Sequence, residues 1–126
     1  MMQHSPEFLA IVERSRARIQ ETDVHAVKAR VDNGEPLVII DVREDLEFAA
    51  KRIPGSVHLG KGVIERDIEA HFPDKHQELL LVCGGGFRSA LAADAIQQMG
   101  YTRAISVDGG LRLWAEAGYP VDVEAI

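Results

Sequence analysis

The only cysteine of this sequence, Cys83, stands where a thiol can do chemistry. It ends an apolar run, residues 79–82, that has the length and character of a strand buried on both faces. A loop of three glycines closed by Phe and Arg follows at residues 84–88, and residues 89–99 have the pattern of a helix. The sequence therefore predicts a lone thiol between a buried strand and the N-terminus of a helix.

The loop after the cysteine has the composition of an anion cradle. Without a Cβ, Gly84, Gly85 and Gly86 can adopt dihedral angles that turn successive backbone N–H groups inward. The first turn of the next helix adds unpartnered N–H groups and partial positive charge, and Arg88 adds a permanent cation. Because all these groups favour thiolate over thiol, we expect Cys83 to be a nucleophile near neutral pH.

Two plainer interpretations of these residues are packing and nucleotide binding. A free cysteine is often a small buried hydrophobic residue, but Cys83 stands at the end of its apolar run, beside a glycine loop. A phosphate-binding loop of the nucleotide-hydrolase type needs Lys and then Ser or Thr after its last glycine, and here Phe87 and Arg88 hold those positions. We therefore favour nucleophilic chemistry.

Length and charge limit the partners. A chain of 126 residues is expected to be one domain, and its formal net charge of -6 argues against nucleic acid or an anionic membrane as the main partner. A single cysteine excludes an internal disulfide and a resolving thiol, so an external acceptor must regenerate the thiol. The histidines are too isolated from other ligand types to predict a metal site, and no cofactor is expected.

The expected location is the cytoplasm. No apolar segment has membrane-spanning length, and the N-terminus lacks the apolar core of a signal peptide. A working thiolate also needs a reducing compartment.

Alternating strand and helix patterns must position the loop. Apolar segments at residues 37–40, 56–59 and 104–107 predict further strands, and helical patterns separate them. This alternation predicts a three-layer α/β/α domain with a mainly parallel central sheet. Its expected parts are an N-terminal helical extension (1–18), the α/β domain (19–122) and a C-terminal tail (123–126).

The strand at residues 37–40 is followed by charged residues that could lie near the thiol. In parallel sheets, ligands bind beyond the carboxyl ends of the strands, so Asp41 and Arg43 are expected close to Cys83. For Asp41 we favour bracing of neighbouring backbone amides. For Arg43, a structural ion pair and a substrate contact are equally open. His4, near the N-terminus, is expected to be solvated and without function.

Four separated segments form a pattern when they are taken in order. They are Asp41-Val42-Arg43-Glu44, Ile53-Pro54-Gly55-Ser56-Val57-His58-Leu59, the loop 83–89, and Asp108-Gly109-Gly110-Leu111-x-x-Trp114. Together they resemble a single-domain rhodanese, a sulfurtransferase module, and the resemblance covers roughly residues 19–121.

The resemblance implies a two-step sulfur transfer. A sulfane sulfur passes from a donor such as thiosulfate to Cys83 as a persulfide, and then to a thiophilic acceptor such as cyanide, a thiol or a protein. Cys83 matches the catalytic cysteine, and Arg88 matches the basic residue that closes its loop. We predict that the substrate is bound by the loop and one further arginine: Gly84, Gly85, Gly86, Phe87, Arg88, Ser89 and Arg43.

Two other functions remain open. Cysteine-dependent phosphatases resemble this fold, but their loop is one residue longer between cysteine and arginine than the four residues here, 84–87. A tetrahedral phosphoryl group needs the wider ring, whereas a single sulfur fits the smaller one. A noncatalytic module that binds a partner or senses oxidation is the third reading, although such modules often lose the cysteine that is retained here.

Departures from the family pattern bear on the substrate. Lys51 and Arg52 stand where Gly and His often precede the Ile-Pro-Gly segment, and Gly85 stands where a small hydroxyl residue is often found. Thiosulfate could therefore be a poor donor even if Cys83 carries sulfur. Phe87 either docks an apolar acceptor or packs the loop down. Every catalytic interpretation requires the thiol to be reachable and the loop amides to face it.

Overall fold

A five-stranded parallel sheet forms the centre of the computed structural model, which describes residues 3–124. Its strands are ordered β1-β6-β5-β2-β4, and β3 and β7 form a small antiparallel sheet. The predicted α/β class with a mainly parallel sheet is confirmed. In chain order the elements are α1 (Pro6–Arg16), β1 (Gln20–Asp23), α2 (Val24–Asp32), β2 (Ile39–Asp41), α3 (Asp45–Ala50), β3 (Lys51–Arg52), β4 (Val57–His58), α4 (Ile64–His71), β5 (Leu79–Val82), α5 (Phe87–Gln97), β6 (Ala104–Asp108), α6 (Gly110–Glu116) and β7 (Asp122–Val123).

Strand β5 is the central strand because it is apolar on both faces. Leu79 and Leu81 contribute to a core that includes residues of α4 and α5, and Leu80 and Val82 contribute to a second core with residues of α2 and α6. All four side chains are buried. Burial on both faces fixes the end of β5, and therefore Cys83, relative to both helical layers.

The carboxyl ends of β2, β5 and β6 meet at one edge of the sheet. Asp41 is in register with Val82, and Leu81 is in register with Ser106. Beyond these strands the chain enters the Cys83 loop from β5 and the first turn of α6 from β6. No helix within residues 3–124 is long and apolar enough to cross a bilayer.

The N-terminal helix α1 is attached to the domain by a buried polar contact. It packs on α5, and its Val12 side chain is buried. Ser15 Oγ donates a 2.9 Å hydrogen bond to Asp94 on α5, and Arg18 binds the same carboxylate. The helix ends at Arg16, two residues before the predicted boundary of the extension. The extension is therefore part of the described structure, with Met1 and Met2 outside the described residues.

The predicted C-terminal tail is partly structured. Strand β7 pairs antiparallel with β3, and the N–H of Glu124 donates to the carbonyl of Ala50 at 3.0 Å. These contacts extend the domain beyond residue 122. Two-residue strands carry no readable hydrophobic period, so backbone pairing of this kind leaves little trace in a sequence. Residues 125–126 lie outside the described part of the chain.

Replacing Asp94 by Asn should destabilise the fold in a pH-dependent way. Hydrogen bonds from Arg18, with a smaller contribution from Ser15, hold the pKa of Asp94 below its ordinary value. The resulting stabilisation is complete above the unfolded pKa, about 3.9, and is lost as the pH falls through the lower folded value. We expect Asp94→Asn to lower the free energy of unfolding by about 1–3 kcal/mol at pH 7.

Urea unfolding at pH 7 and pH 3 measures this effect. The control is Asp32→Asn, which removes an exposed partner of Lys28 on α2 and should change stability by less than about 0.5 kcal/mol. If Asp94→Asn were as mild as the control, or equally costly at both pH values, α1 would not be held by this carboxylate.

Candidate active site

Cys83 lies at the base of a cavity of about 930 Å³. The residue is only 1% exposed, and the cavity it lines is its route to solvent. Loop residues form one side of this cavity, and residues distant in sequence form the rest: His4, Phe8, Glu47 and Arg112. Cys83 is therefore nearly buried but borders the cavity.

One backbone N–H contacts the sulfur directly, and two serine hydroxyls form a series that begins at the sulfur. The N–H of Gly86 donates to Cys83 Sγ at 3.0 Å, and Sγ lies 3.5 Å from Ser89 Oγ. Ser89 Oγ is in turn 2.9 Å from Ser106 Oγ, and both serines are fully buried. The thiol donates to Ser89; once it is ionised, the two hydroxyls can donate in series toward the thiolate. Hydrogen bonds to an ionised acceptor are among the stronger ones in proteins.

The loop keeps further donors available for a ligand. Within residues 3–124, no acceptor is found for the backbone N–H groups of Gly84, Gly85, Phe87, Arg88 and Ser89. The last three belong to the first turn of α5, where N–H groups have no partner within the helix. Gly86 precedes the helix with φ of +100°, a conformation that glycine adopts without strain. These donors and the helix dipole suit an anion beside the sulfur.

The start of α6 holds the loop from the other side. The N–H of Leu111 donates to the carbonyl of Cys83 at 2.9 Å, and the N–H of Arg112 donates to the carbonyl of Gly84 at 3.0 Å. In a trans peptide the N–H points opposite to the C=O. The N–H groups of Gly84 and Gly85 therefore point away from α6.

Gly110 makes this close approach possible. A Cβ at Gly110 would collide with the carbonyl oxygen of Cys83, and its φ is +52°. In the sequence, Gly110 entered only as part of the segment Asp108-Gly109-Gly110-Leu111-x-x-Trp114. The sequence signal for the supporting role of Gly110 was the glycine pair that directly follows a strand.

A bidentate ion pair occupies one wall of the cavity. Arg88 Nη1 and Nη2 lie 2.7 and 3.0 Å from the two carboxylate oxygens of Glu47 on α3. This hydrogen bonding is the largest cause that lowers the pKa of Glu47 and raises the pKa of Arg88. Near neutral pH the two charges therefore balance. The sequence gave no sign of this contact, because the partners are 41 residues apart.

Two residues predicted to bind substrate make contacts within the protein. Arg43 is 6% exposed, does not line the cavity, and pairs with Asp41 at 2.9 Å and with the carbonyl of Lys51. Its structural ion pair is therefore the role that the geometry supports, and Asp41 also accepts from the N–H of Arg43 as expected. The Ser89 hydroxyl is buried 3.5 Å from the Cys83 sulfur, and a contact of Ser89 with substrate stays a prediction.

Aromatic residues of α1 and of the segment before it form another wall of the cavity. The ring of His4 lies 4.7 Å from that of Phe87 and 5.1 Å from that of Phe8, measured between centroids. His4 is half-buried and lines the cavity, so the expectation that it is solvated is wrong. Phe87 packs on these rings and also lines the cavity, and docking of a protein or an apolar acceptor on it stays a prediction.

Comparison with known proteins gives a consistent family. The family model described as "Rhodanese-like domain" matches residues 23–117, which excludes α1. "Thiosulfate sulfurtransferase GlpE" of Stutzerimonas stutzeri (strain A1501) is 34% identical over 107 residues, 85% of this chain and 91% of that protein. "Putative sulfur carrier protein YrkF" of Bacillus subtilis (strain 168) is 36% identical over 96 residues, 76% of this chain, and the match spans 51% of that longer protein.

The name of one similar solved structure suggests a different activity for that protein. It is described as "Protein of Unknown Function RPA3614, Possible Tyrosine Phosphatase", from Rhodopseudomonas palustris CGA009. The two chains superpose with a TM-score of 0.81 at 28% identity, over 97% of this chain and 99% of that one.

Gly110→Ala should disrupt the support of the loop. A methyl group there meets the Cys83 carbonyl and must adopt a left-handed conformation, so we expect a loss of about 2 kcal/mol or more in the free energy of unfolding. Gly62→Ala is the matched control, because its Cβ would enter open space and its φ is not in the left-handed region. Urea unfolding of both variants distinguishes them, and equal stability would mean that α6 does not press on the loop.

Proposed function

This chain belongs to the rhodanese-like domain family, and from that premise we propose that it is a sulfurtransferase carrying a sulfane sulfur on Cys83 as a persulfide. The observation that carries the proposal is the position of Cys83 Sγ, which accepts from Gly86 N–H within a loop of unpartnered N–H groups. Relatives named as sulfurtransferases support the class of reaction.

The first step loads the cysteine. The Cys83 thiolate attacks the outer sulfur of a donor such as thiosulfate, and a sulfur–sulfur bond forms. The bond between that sulfur and the sulfonate sulfur breaks, and sulfite leaves with the electron pair. Both donor and leaving group are anions, which the loop N–H groups and Arg88 can stabilise. The terminal sulfur of the persulfide then carries the negative charge and can accept from the same N–H groups.

The second step returns the thiolate. Cyanide attacks the outer persulfide sulfur, the sulfur–sulfur bond to Cys83 breaks, and thiocyanate leaves. With a small thiol or a protein thiol as acceptor, the products are the Cys83 thiolate and a new persulfide. One cysteine is sufficient for this cycle. A reducing compartment such as the cytoplasm would keep the resting thiol available.

The site is less suited to phosphate ester hydrolysis. The four residues between Cys83 and Arg88 form a small ring. Hydrolysis also needs an acid that protonates the leaving alcohol. Among residues 3–124, Glu47 is the carboxyl that lines the cavity, and its pKa is lowered by Arg88, so it is ionised near neutral pH.

Incubation with thiosulfate should add the mass of one sulfur atom to the protein. Cyanide should remove the added mass, and Cys83→Ser should not acquire it, because the persulfide forms on that sulfur. Intact-protein mass spectrometry measures all three. A wild-type protein without the shift, together with Cys83-dependent turnover of an aryl phosphate, would favour the phosphatase reading instead.

Substitutions of Arg88 and Glu47 should change the kinetics with thiosulfate in opposite directions. Arg88→Ala removes a cation from the anion site, so we expect kcat/KM for thiosulfate to fall at least tenfold, about 1.4 kcal/mol, with a smaller effect on cyanide. Glu47→Gln frees Arg88 from its carboxylate, so KM for thiosulfate should fall several-fold.

The control for these kinetics is Asp45→Asn. It removes the same charge from α3 at a side chain that is 96% exposed and does not line the cavity. If Asp45→Asn and Glu47→Gln lowered KM equally, the effect would come from net charge and not from the Arg88 pair.

A further inference from the structure

Arg16, the last residue of α1, contacts the Cys83 loop although the two are distant in sequence. Its Cζ atom lies over the Phe87 ring, 5.2 Å from the ring centroid, a distance at which a cation is attracted to an aromatic face. Its Nη2 donates a 3.3 Å hydrogen bond to Asp108 Oδ1 at the end of β6. Arg16 therefore connects the N-terminal helix both with the loop and with the strand that leads into α6.

The carboxylate that Arg16 binds packs against Gly86. A Cβ on Gly86 would lie 3.2 Å from Asp108 Oδ1 and 3.1 Å from the backbone nitrogen of Gly109, so both residues lie directly against this glycine. The N–H of Gly86 is the donor to Cys83 Sγ. A continuous series of contacts therefore runs from Arg16 through Asp108 and Gly86 to the sulfur.

The stability of the fold does not by itself account for the position of Arg16. The side chain is 23% exposed and has three acidic neighbours, Glu13, Glu21 and Asp108, at 3.3–3.5 Å. Its Nε is the one buried side-chain nitrogen or oxygen within residues 3–124 that makes no hydrogen bond. A buried donor without an acceptor costs free energy, so a role beyond stability is a reasonable explanation for this placement.

We propose, building on the sulfur-transfer function, that Arg16 is a positioning residue for the loading of Cys83. In that step the Cys83 thiolate bonds to the outer sulfur of the donor, and sulfite leaves with the electron pair. Arg16 binds Asp108 and covers the Phe87 ring, and so fixes residues 86 and 87 from outside the loop. It does not line the cavity, and it lies outside residues 23–117, the segment that matches the family model.

The effect of Arg16 on the reaction follows from the N–H groups that it helps to hold. The N–H of Gly86 binds the sulfur, and the N–H of Phe87 is one of the donors without an acceptor within the described residues. Donors that are oriented in advance stabilise developing charge without reorganising during the reaction. Loss of Arg16 should therefore slow the chemical step more than it weakens donor binding.

Arg16→Gln tests this assignment, with Arg14→Gln as the matched control. Both variants remove one cation from α1, but Arg14 is exposed and does not line the cavity. We expect the rate of persulfide formation at saturating thiosulfate to fall at least fivefold in Arg16→Gln, with KM changed less than twofold, by mass spectrometry of quenched samples. Arg14→Gln should match the wild type in both. An unchanged rate at saturation would overturn the inference, whatever the KM.

Two further variants test how Arg16 acts. Arg16→Lys keeps a cation but lacks the planar fork of donors, so its rate should lie between those of the wild type and Arg16→Gln. Arg16→Gln should lower the rate less in an Asp108→Asn background than in the wild type, because one of its two contacts is already lost. Equal losses in the two backgrounds would contradict the path through Asp108.

Asp94→Asn distinguishes positioning of the loop from attachment of the helix. It removes the other polar contact of the N-terminal segment with the domain, at a site that does not line the cavity. Urea unfolding should show a larger loss of stability in Asp94→Asn than in Arg16→Gln, whereas the loading rate should fall more in Arg16→Gln. If Asp94→Asn lowered the rate as much as Arg16→Gln, the general attachment of α1 would account for the effect.

Alkylation of Cys83 by iodoacetamide separates this inference from the proposed function, because it needs no sulfur donor. The alkylation rate should fall in Arg16→Gln and stay at the wild-type value in Arg14→Gln. If thiosulfate does not load the wild type but the alkylation rates differ in this way, sulfur transfer is wrong and the positioning role of Arg16 stands. If thiosulfate loads the wild type and Arg16→Gln equally fast and alkylation is also unchanged, the inference about Arg16 alone is wrong.

Discussion

The direction of the peptide groups after Cys83 depends on two hydrogen bonds from the start of α6. The carbonyls of Cys83 and Gly84 accept from that helix, and trans peptide geometry then turns the next two N–H groups the other way. The sheet makes this possible because β5 and β6 are parallel neighbours, so the helix after β6 begins beside the end of β5. Without this support a triple-glycine loop would have many conformations of similar energy.

The same arrangement surrounds the Cys83 sulfur with fixed dipoles. Arg88 is paired with Glu47, so the immediate partners of the sulfur are the dipoles of Gly86 N–H and the serine hydroxyls. Fixed dipoles in a site that excludes bulk water stabilise charge without having to reorganise during the reaction. Ser106 reaches this site because its strand is adjacent to β5. The sheet therefore supplies part of the electrostatics as well as the scaffold.

The sequence was most informative where the decisive signal is local. An apolar run, a cysteine and three glycines indicate the strand, the candidate nucleophile and the loop within ten residues, and alternating patterns indicate the parallel sheet. It was least informative where charges meet across the fold. Arg43 could have faced a substrate, and only the geometry shows that Asp41 and a carbonyl already bind it. The pairing of Arg88 with Glu47 and the position of His4 depend on tertiary packing, which residue types alone do not specify.

The attachment of α1 determines whether its aromatic residues can act as a wall of the site. A helix end held only by exposed contacts would fray, and Phe8 would have no fixed position relative to the sulfur. Here Asp94 of α5 accepts hydrogen bonds from Ser15 and Arg18 of the N-terminal segment, and α5 also begins at the Cys83 loop. Helix α5 therefore positions both the aromatic residues of α1 and the N–H groups of the Cys83 loop. Their separation is therefore set by the packing of α1 on α5.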